Sequence, residues 1–92
     1  MIKSIKHKGL KRFWEKEDKS KLPASQLSRI QKLLLSLNAA TTEEDMNLPG
    51  YHVHELKGDL KGYSSVRVTG NYRIVYRFED EHVYDVDYTD YH

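Results

Sequence analysis

Apolar residues recur at helical spacing near the start of the chain. Leu10, Phe13 and Trp14 lie at i, i+3 and i+4, and basic and acidic residues occupy the positions between them. This spacing predicts a helix over residues 7–16 with one apolar face. The residues before it, Met1 to Ser4, alternate apolar and polar side chains and are compatible with a short edge strand.

A second helix is the most strongly patterned element. Pro23 suits its first turn, because the N–H that proline lacks would have no partner there. The apolar stripe of this helix, which is predicted to end near Asn38, consists of Leu27, Ile30, Leu33, Leu34 and Leu37. A loop follows and is closed by Pro49 and Gly50, a pair typical of turns.

Beyond this loop the apolar period changes to two, which is typical of strands. The predicted strands are His52–Leu56, Tyr63–Val68, Tyr72–Phe78 and His82–Tyr88. Thr69, Gly70 and Asn71 form a hairpin connection between the second and third strands. Two helices followed by antiparallel strands predict an α+β fold in which both helices pack on one face of the sheet.

The hairpin also predicts a register. Pairing Val68 with Tyr72 places Val66, Val68, Tyr72, Ile74, Tyr76 and Phe78 on the core face. The same register sets Arg67 directly opposite Arg73 on the other face, where like charges cost stability unless an anion binds between them. In the last strand we expect Tyr84, Val86 and Tyr88 to face the core, which would bring Asp87 beside Arg73.

The formal net charge of +1 conceals a strong asymmetry along the 92 residues. Residues 1–32 hold ten Lys or Arg and three Asp or Glu, whereas residues 33–92 hold five basic and eleven acidic residues. A basic half on a small domain is typical of proteins that bind polyanions, although a solvated lysine-rich helix explains it equally well. We expect a single domain over residues 1–92, without disulfides, membrane span or export signal, and therefore cytoplasmic.

Groups that handle phosphate and protons are spread over three segments. His54 and Lys57 lie where the first strand ends, Arg73 lies on the third strand, and Tyr91 and His92 end the chain. RNA cleavage requires proton transfer at the attacking and leaving oxygens and cations at the phosphate. Arginine offers a bidentate fork for phosphate, and an aromatic ring stacks on an unpaired base. We therefore predict a small RNA-cleaving site, provided that these segments meet on one sheet face.

Each of these residues also has a purely structural explanation. His54 is compatible with an ordinary exposed strand position, Lys57 with a turn, and Arg73 with an ion pair to Asp87. His52 and His54 would share a strand face, but two histidines without a third ligand are weak evidence for zinc, and we predict no metal and no cofactor.

Several segments together resemble the HigB toxins, the host-inhibition-of-growth or plasmid-killer branch of the RelE/ParE toxin superfamily. The resemblance rests on Leu56-Lys57-Gly58-Asp59 with Gly62-Tyr63 and Ser65 following, on Asn71-Tyr72-Arg73-Ile74, and above all on the ending Asp87-Tyr88-Thr89-Asp90-Tyr91-His92. It extends over essentially the whole chain and implies a RelE-like fold.

The resemblance implies a ribosome-dependent endoribonuclease that cuts messenger RNA in the aminoacyl site and prefers adenosine-containing codons. The catalytic residues carried over by position are His54, Lys57, Arg73, Asp90, Tyr91 and His92. A HigA-type helix-turn-helix antitoxin is the implied partner, and operator DNA is bound only through the toxin–antitoxin complex. The basic residues expected to contact ribosomal RNA are Lys3, Lys6, Lys8, Lys11, Arg12, Lys16, Lys19 and Lys21, with Arg67 added from the strand pairing.

Two other functions share parts of this pattern. A ParE-like gyrase inhibitor would have the same fold without cutting RNA, and it would not need the Lys57 and Arg73 pair or the terminal Tyr-His. A non-catalytic RNA- or protein-binding module would use the basic helices alone. Alanine substitutions at His54 and His92 would then leave its function unchanged.

Overall fold

The computed structural model describes residues 1–90, in which two helices and a four-stranded antiparallel sheet form an α+β fold. The helices are α1, Lys8–Lys16, and α2, Leu27–Ala39; the strands are β1, His54–Glu55, β2, Ser64–Arg67, β3, Tyr72–Glu79, and β4, His82–Asp90. The strands lie in the order β1-β2-β3-β4. The predicted fold class and the predicted elements are confirmed, with differences at individual ends.

Helix α1 begins as its sequence predicts. The Nδ1 atom of His7 accepts a hydrogen bond from the backbone N–H of Leu10 at 3.0 Å, and so caps the first turn. The helix ends where Glu17 adopts a left-handed conformation (φ 55°). Helix α2 begins later than predicted, because Pro23 is extended and a 3-10 turn, Ala24–Gln26, precedes the α-helical hydrogen bonds.

The N-terminal segment covers the outer edge of the sheet. Its N–H groups at Lys3 and Lys6 donate to the carbonyls of Val83 and Val86, each at 2.7 Å, so the segment runs parallel to β4. The predicted edge strand is thus present as isolated bridges. It occupies backbone groups of β4 that would otherwise be open to pairing with another chain.

The predicted register of the hairpin is correct. Arg67 lies directly opposite Arg73, and Val66 lies opposite Ile74. The core between α2 and this sheet face is built from residues that are almost completely buried: Leu10, Ile30, Leu33, Leu34, Leu37, Val66, Ile74, Tyr76, Val83 and Val86. We call the side of the sheet that carries Arg67 and Arg73 the open face.

The prediction for β4 is wrong at Tyr84. A β-bulge places two residues of β4 opposite Tyr76, and Asp85 adopts a left-handed backbone there (φ 55°). The extra residue reverses the alternation, so Val83 is buried and Tyr84 pairs with Arg77 on the open face. Asp87 consequently lies opposite Val75, diagonal to Arg73, and Thr89 is the direct partner of Arg73.

The first predicted strand is also too long. His52 has a left-handed backbone (φ 48°), which breaks the extended chain, and the strand contains only His54 and Glu55. His52 and His54 therefore do not occupy one face of a strand. The pairing continues for one more bond, from the N–H of Leu56 to the carbonyl of Tyr63 at 2.9 Å.

Candidate active site

Three of the predicted catalytic residues line one hollow on the open face. The hollow has a volume of about 190 Å³ and is lined by His54, Glu55, Leu56, Lys57, Ser65 and Arg73. We call it the proximal hollow. Its residues come from β1, from the turn that follows, and from β2 and β3, so the sheet pairing assembles it.

Ser65 lines this hollow, although it is not among the site residues predicted from the sequence. It is completely buried, lies opposite His54 on β1 and accepts a hydrogen bond at its Oγ from the Nη1 atom of Arg73 at 3.3 Å. The predicted register contained the signal, because the pairing of Arg67 with Arg73 sets Ser65 on the same face. The contact fixes the guanidinium of Arg73 at the floor of the hollow.

Lys57 is placed by the turn that follows β1. It precedes the 3-10 turn Gly58–Leu60, and the chain then returns to β2 through Gly62. Both glycines have positive φ angles, 69° and 95°, which side chains rarely tolerate. This tight return holds Lys57, which is exposed, at the rim beside His54.

The open face concentrates positive charge next to this hollow. Arg67 is exposed and opposes the partly buried Arg73 across the β2–β3 pair. The Nη2 atom of Arg29 also donates to the carbonyls of Arg67 and Gly50, at 3.0 and 2.7 Å, which ties this end of β2 to α2. Two adjacent guanidinium groups with a lysine form a surface suited to a phosphate, which arginine binds in bidentate geometry.

Of the remaining catalytic predictions, Asp90 is described by the structure and lies at the end of β4. Asp90 is exposed and opposite Tyr72, one position beyond the partner of Arg73, and it does not line the proximal hollow. Tyr91 and His92 lie outside the described residues. The strand that leads to them is fastened by Tyr88, whose hydroxyl donates to the side chain of Gln26 and whose ring stacks on Tyr72 with centroids 5.1 Å apart.

The surroundings of Tyr88 change its acidity. Burial, with a smaller contribution from the neighbouring Tyr72 and Asp90, raises the pKa of Tyr88 to about 12. The phenol therefore stays protonated and remains a hydrogen-bond donor throughout the physiological range.

The predicted RNA-contacting residues of the N-terminal half are all exposed. They are Lys3, Lys6, Lys8, Lys11, Arg12, Lys16, Lys19 and Lys21. Two of them have partners within the chain: Arg12 forms an ion pair with Asp18 at 2.8 Å, and the ammonium of Lys6 lies 5.5 Å from the ring centroid of Tyr63. Hydrogen bonds from Ser20 and from Arg12 hold the pKa of Asp18 well below its usual range.

The described part of the chain offers no group of three or more His, Cys, Asp or Glu placed to hold a metal ion. Within residues 1–90, no helix is long and apolar enough to cross a membrane. The side chains that line the proximal hollow supply one imidazole, two cations, one carboxylate and a buried hydroxyl.

Comparison with known proteins decides the family. The family model described as "RelE-like toxin of type II toxin-antitoxin system HigB" matches residues 3–92. The chain belongs to this family. It is 44% identical to the Endoribonuclease HigB of Proteus vulgaris over 92 residues, which is the full length of both chains. It is 34% identical to Toxin HigB-1 of Vibrio cholerae over 82 residues, or 87% of this chain and 86% of the relative.

Solved structures show the same fold at lower identity. The YoeB–YefM complex from Staphylococcus aureus contains a chain with a TM-score of 0.63 and 21% identity, covering 100% of this chain and 98% of that one. YafQ from Escherichia coli has a TM-score of 0.56 and 16% identity, covering 98% and 93%. The HigB-like, RelE-type assignment made from the sequence is confirmed, and the roles of individual site residues remain predictions.

Proposed function

We propose that this HigB-like toxin is an endoribonuclease that cuts messenger RNA in the aminoacyl site of the ribosome, and that the proximal hollow is its active site. The observation that carries the proposal is the meeting of His54, Lys57 and Arg73 in one hollow, although they come from separate segments of the chain. A gyrase inhibitor or a purely structural sheet would not require an imidazole and two cations to converge at a buried serine.

The reaction begins with attack of the 2′-oxygen of the messenger on the adjacent phosphorus. The new P–O2′ bond forms as the P–O5′ bond breaks, giving a 2′,3′-cyclic phosphate and a 5′-hydroxyl end. One proton leaves the 2′-hydroxyl and another reaches the departing 5′-oxygen, and His54 and His92 are the two imidazoles proposed for these transfers. Arg73 and Lys57 hold the phosphate and stabilise the added charge, and Tyr91 stacks on a base.

Asp90 is proposed to act from the end of β4. It lies one residue beyond Thr89, the cross-strand partner of Arg73, and opposite Tyr72 on the other face of the sheet, so it would act around the end of β4. A carboxylate there is suited to orienting a cationic or imidazole group against the messenger.

The basic N-terminal half supplies a surface for ribosomal RNA. Most of its lysines are exposed on α1 and on the connector to α2, and contacts of this kind to phosphates are independent of sequence. Arg67, opposite Arg73 on the open face, is proposed as a further contact to ribosomal RNA. Docking on the ribosome would orient the messenger, an effect that can supply several kcal/mol of the barrier reduction.

We also propose a regulatory partner, and the family's place in a type II toxin-antitoxin system supports an antitoxin in that role. A HigA-type helix-turn-helix antitoxin neutralises the toxin, and the complex binds operator DNA through the antitoxin. The solved YoeB–YefM assembly, a toxin with its antitoxin, supports the general arrangement. We also propose that the toxin prefers adenosine-containing codons and acts in the cytoplasm.

The test compares three substitutions on messenger-programmed ribosomes. Arg73→Ala should lower the cleavage rate about 10²–10³-fold, which is typical when one donor to a transition-state oxyanion is removed. Arg73→Lys should recover part of the rate, because it keeps the charge and loses the bidentate fork. The matched control is Lys32→Ala, which removes an exposed charge from α2 away from the hollow. Equal cutting by the Arg73→Ala variant would contradict the proposed role.

A salt titration tests the binding surface separately. The affinity for ribosomes should fall steeply with salt, as expected when several phosphates are neutralised. Replacing Lys8, Lys11 and Lys16 by glutamine should reduce that salt dependence while leaving the melting temperature nearly unchanged, since all three are exposed. An affinity that is insensitive to salt would contradict the use of this surface.

A further inference from the structure

A second and larger hollow adjoins the proximal hollow. It has a volume of about 510 Å³ and lies between the turn after β1, the loop before β1 and the end of β3. Its charged and aromatic lining residues are Glu43, Glu55, Lys57, Lys61, Tyr63 and Phe78. We call it the distal hollow.

The two hollows lie on either side of the edge strand β1 and share part of their lining. Glu55, Leu56 and Lys57 line both of them. Ser65 and Arg73 of the proximal hollow are on the open face, whereas Ser64 and Phe78 of the distal hollow are on the other face of the sheet. An RNA strand whose phosphate lies against Arg73 and Lys57 would therefore reach the distal hollow by passing around the edge strand β1.

The charge of the distal hollow favours a neutral group over a phosphate. The carboxylates of Glu43 and Glu55 are balanced by the ammonium groups of Lys57 and Lys61. The proximal hollow differs, because Arg73 and Lys57 there exceed the single carboxylate of Glu55. A phosphate is thus better placed in the proximal hollow and an uncharged base in the distal one.

The walls of the distal hollow provide both a stacking surface and hydrogen-bond acceptors. Phe78 is partly buried and held edge-on by Tyr76, with ring centroids 5.9 Å apart at 85°. Glu43 is exposed, and its Oε1 accepts a long hydrogen bond from the buried hydroxyl of Ser64 at 3.5 Å. Burial and the nearby Glu43 carboxylate raise the pKa of Tyr76, so Glu43 lies close to a buried neutral phenol.

We propose that the distal hollow is a nucleobase subsite, in which a base next to the scissile phosphate stacks on Phe78 and donates its exocyclic amine to Glu43 or Glu55. This inference rests on the proposed function and adds a specificity determinant to it. Unpaired bases are recognised by stacking on aromatic rings and by hydrogen bonds to their edges. Carboxylates accept from the amines of adenine, cytosine or guanine, whereas uracil has no exocyclic amine.

The experiment uses the full chain on ribosomes programmed with messages that differ only at one base flanking the cut bond. Wild-type protein should cut the adenosine message roughly tenfold or more faster than the uridine message, the discrimination expected of a good base-edge contact. The double variant Glu43→Leu, Glu55→Leu should reduce the ratio to within about twofold, since leucine keeps the bulk and removes the acceptors.

Glu44→Leu is the matched control, because Glu44 is the exposed neighbour of Glu43 and does not line the distal hollow. It should keep the wild-type ratio. Phe78→Leu should slow both messages together, since stacking tolerates every base. A circular-dichroism melt of each variant separates these effects from loss of folding.

Two results would overturn the inference while leaving the proposed function intact. One is a double variant that cuts with the wild-type ratio at every flanking position. The other is an unchanged ratio accompanied by weakened antitoxin binding, which would make the distal hollow a protein-docking surface. If wild-type protein cut neither message, the proposed function would fail, and this inference would fail with it.

Discussion

Removing the hydroxyl of Tyr88 is expected to destabilise the fold at the strand that leads to the chain end. In Tyr88→Phe the ring keeps its stacking on Tyr72, 2° from parallel, but the donor to Gln26 is lost. Gln26 is only 8% exposed, so its side-chain oxygen would be left largely buried without this partner.

The magnitude follows from the two parts of that loss. A typical hydrogen bond contributes about 0.5–1.5 kcal/mol net, and a buried group left unsatisfied costs about 1–3 kcal/mol. Because Gln26 keeps slight contact with solvent, we expect a loss of about 1–2 kcal/mol in the free energy of unfolding. For a domain of this size, each kcal/mol lowers Tm by roughly 4–8 °C.

Urea unfolding and thermal melts at pH 7 measure the effect. Tyr84→Phe is the control, since Tyr84 lies half-exposed on the open face with the Arg77 guanidinium 4.9 Å from its ring centroid. Adding Gln26→Leu to Tyr88→Phe should restore part of the stability, because it removes the Gln26 oxygen that has lost its donor. Equal stabilities for the Tyr88→Phe and Tyr84→Phe variants would refute the reasoning.

The same variant has a signature at high pH. Folded Tyr88 keeps its proton up to a pKa of about 12, whereas the unfolded chain releases it near the ordinary value of 10.0. Between these values the folded state binds more protons than the unfolded state, so stability falls as pH rises. The fall measured between pH 10 and 12 should be shallower in Tyr88→Phe than in wild-type protein.

Two further substitutions test the N-terminal half and the β-bulge. Hydrogen bonds from Arg77 and Tyr63 lower the pKa of Asp85, so its contribution to stability is present above the ordinary carboxyl pKa and is lost as pH falls through the lowered one. Asp85→Asn should therefore flatten the fall in stability toward acid pH measured by urea unfolding, and an unchanged slope would contradict this role. In Gly9→Ala the added Cβ would lie 2.8 Å from the Cβ of Lys21, and this overpacking of about 1–3 kcal/mol should outweigh a helix-propensity gain of about 1 kcal/mol and lower Tm; a higher Tm would contradict the close contact.

The β2–β3 hairpin was predictable from the sequence because residues that are close together in the chain determine its pairing. A short connection and strict alternation fix which residues face each other, and this is why Arg67 and Arg73 were correctly paired. The same register also predicts that Ser65 lies on the open face beside Arg73, although Ser65 is not among the predicted site residues. Helix α2 was equally accessible, since its five apolar positions share one face.

The β-bulge was not predictable, because distant contacts stabilise it. The backbone N–H of Asp85 donates to the Oγ of Ser4, 81 residues away in sequence, at 2.8 Å. Its carboxylate accepts from Tyr63 and Arg77 at 3.0 and 2.8 Å. Only this assembled network favours a left-handed residue in the middle of a strand, and the alternation pattern alone therefore assigned Tyr84 to the wrong face.

The distal hollow also could not be predicted from the sequence. Glu43 and Phe78 are far apart along the chain and come together only through the 3-10 turn Glu43–Met46 and the register of β3 with β2. Neither residue belongs to a segment that carried the family resemblance.

The most direct test of the central claim is primer extension on messenger-programmed ribosomes with an adenosine-rich codon in the aminoacyl site, run beside the same RNA free in solution. The proposal predicts cuts on the ribosome that end in a 2′,3′-cyclic phosphate and disappear when Tyr91 and His92 are deleted. Persistent cutting by the truncated chain would contradict the assignment of its last two residues. No cutting by the wild-type chain would contradict the nuclease itself and favour gyrase inhibition or a non-catalytic binding module.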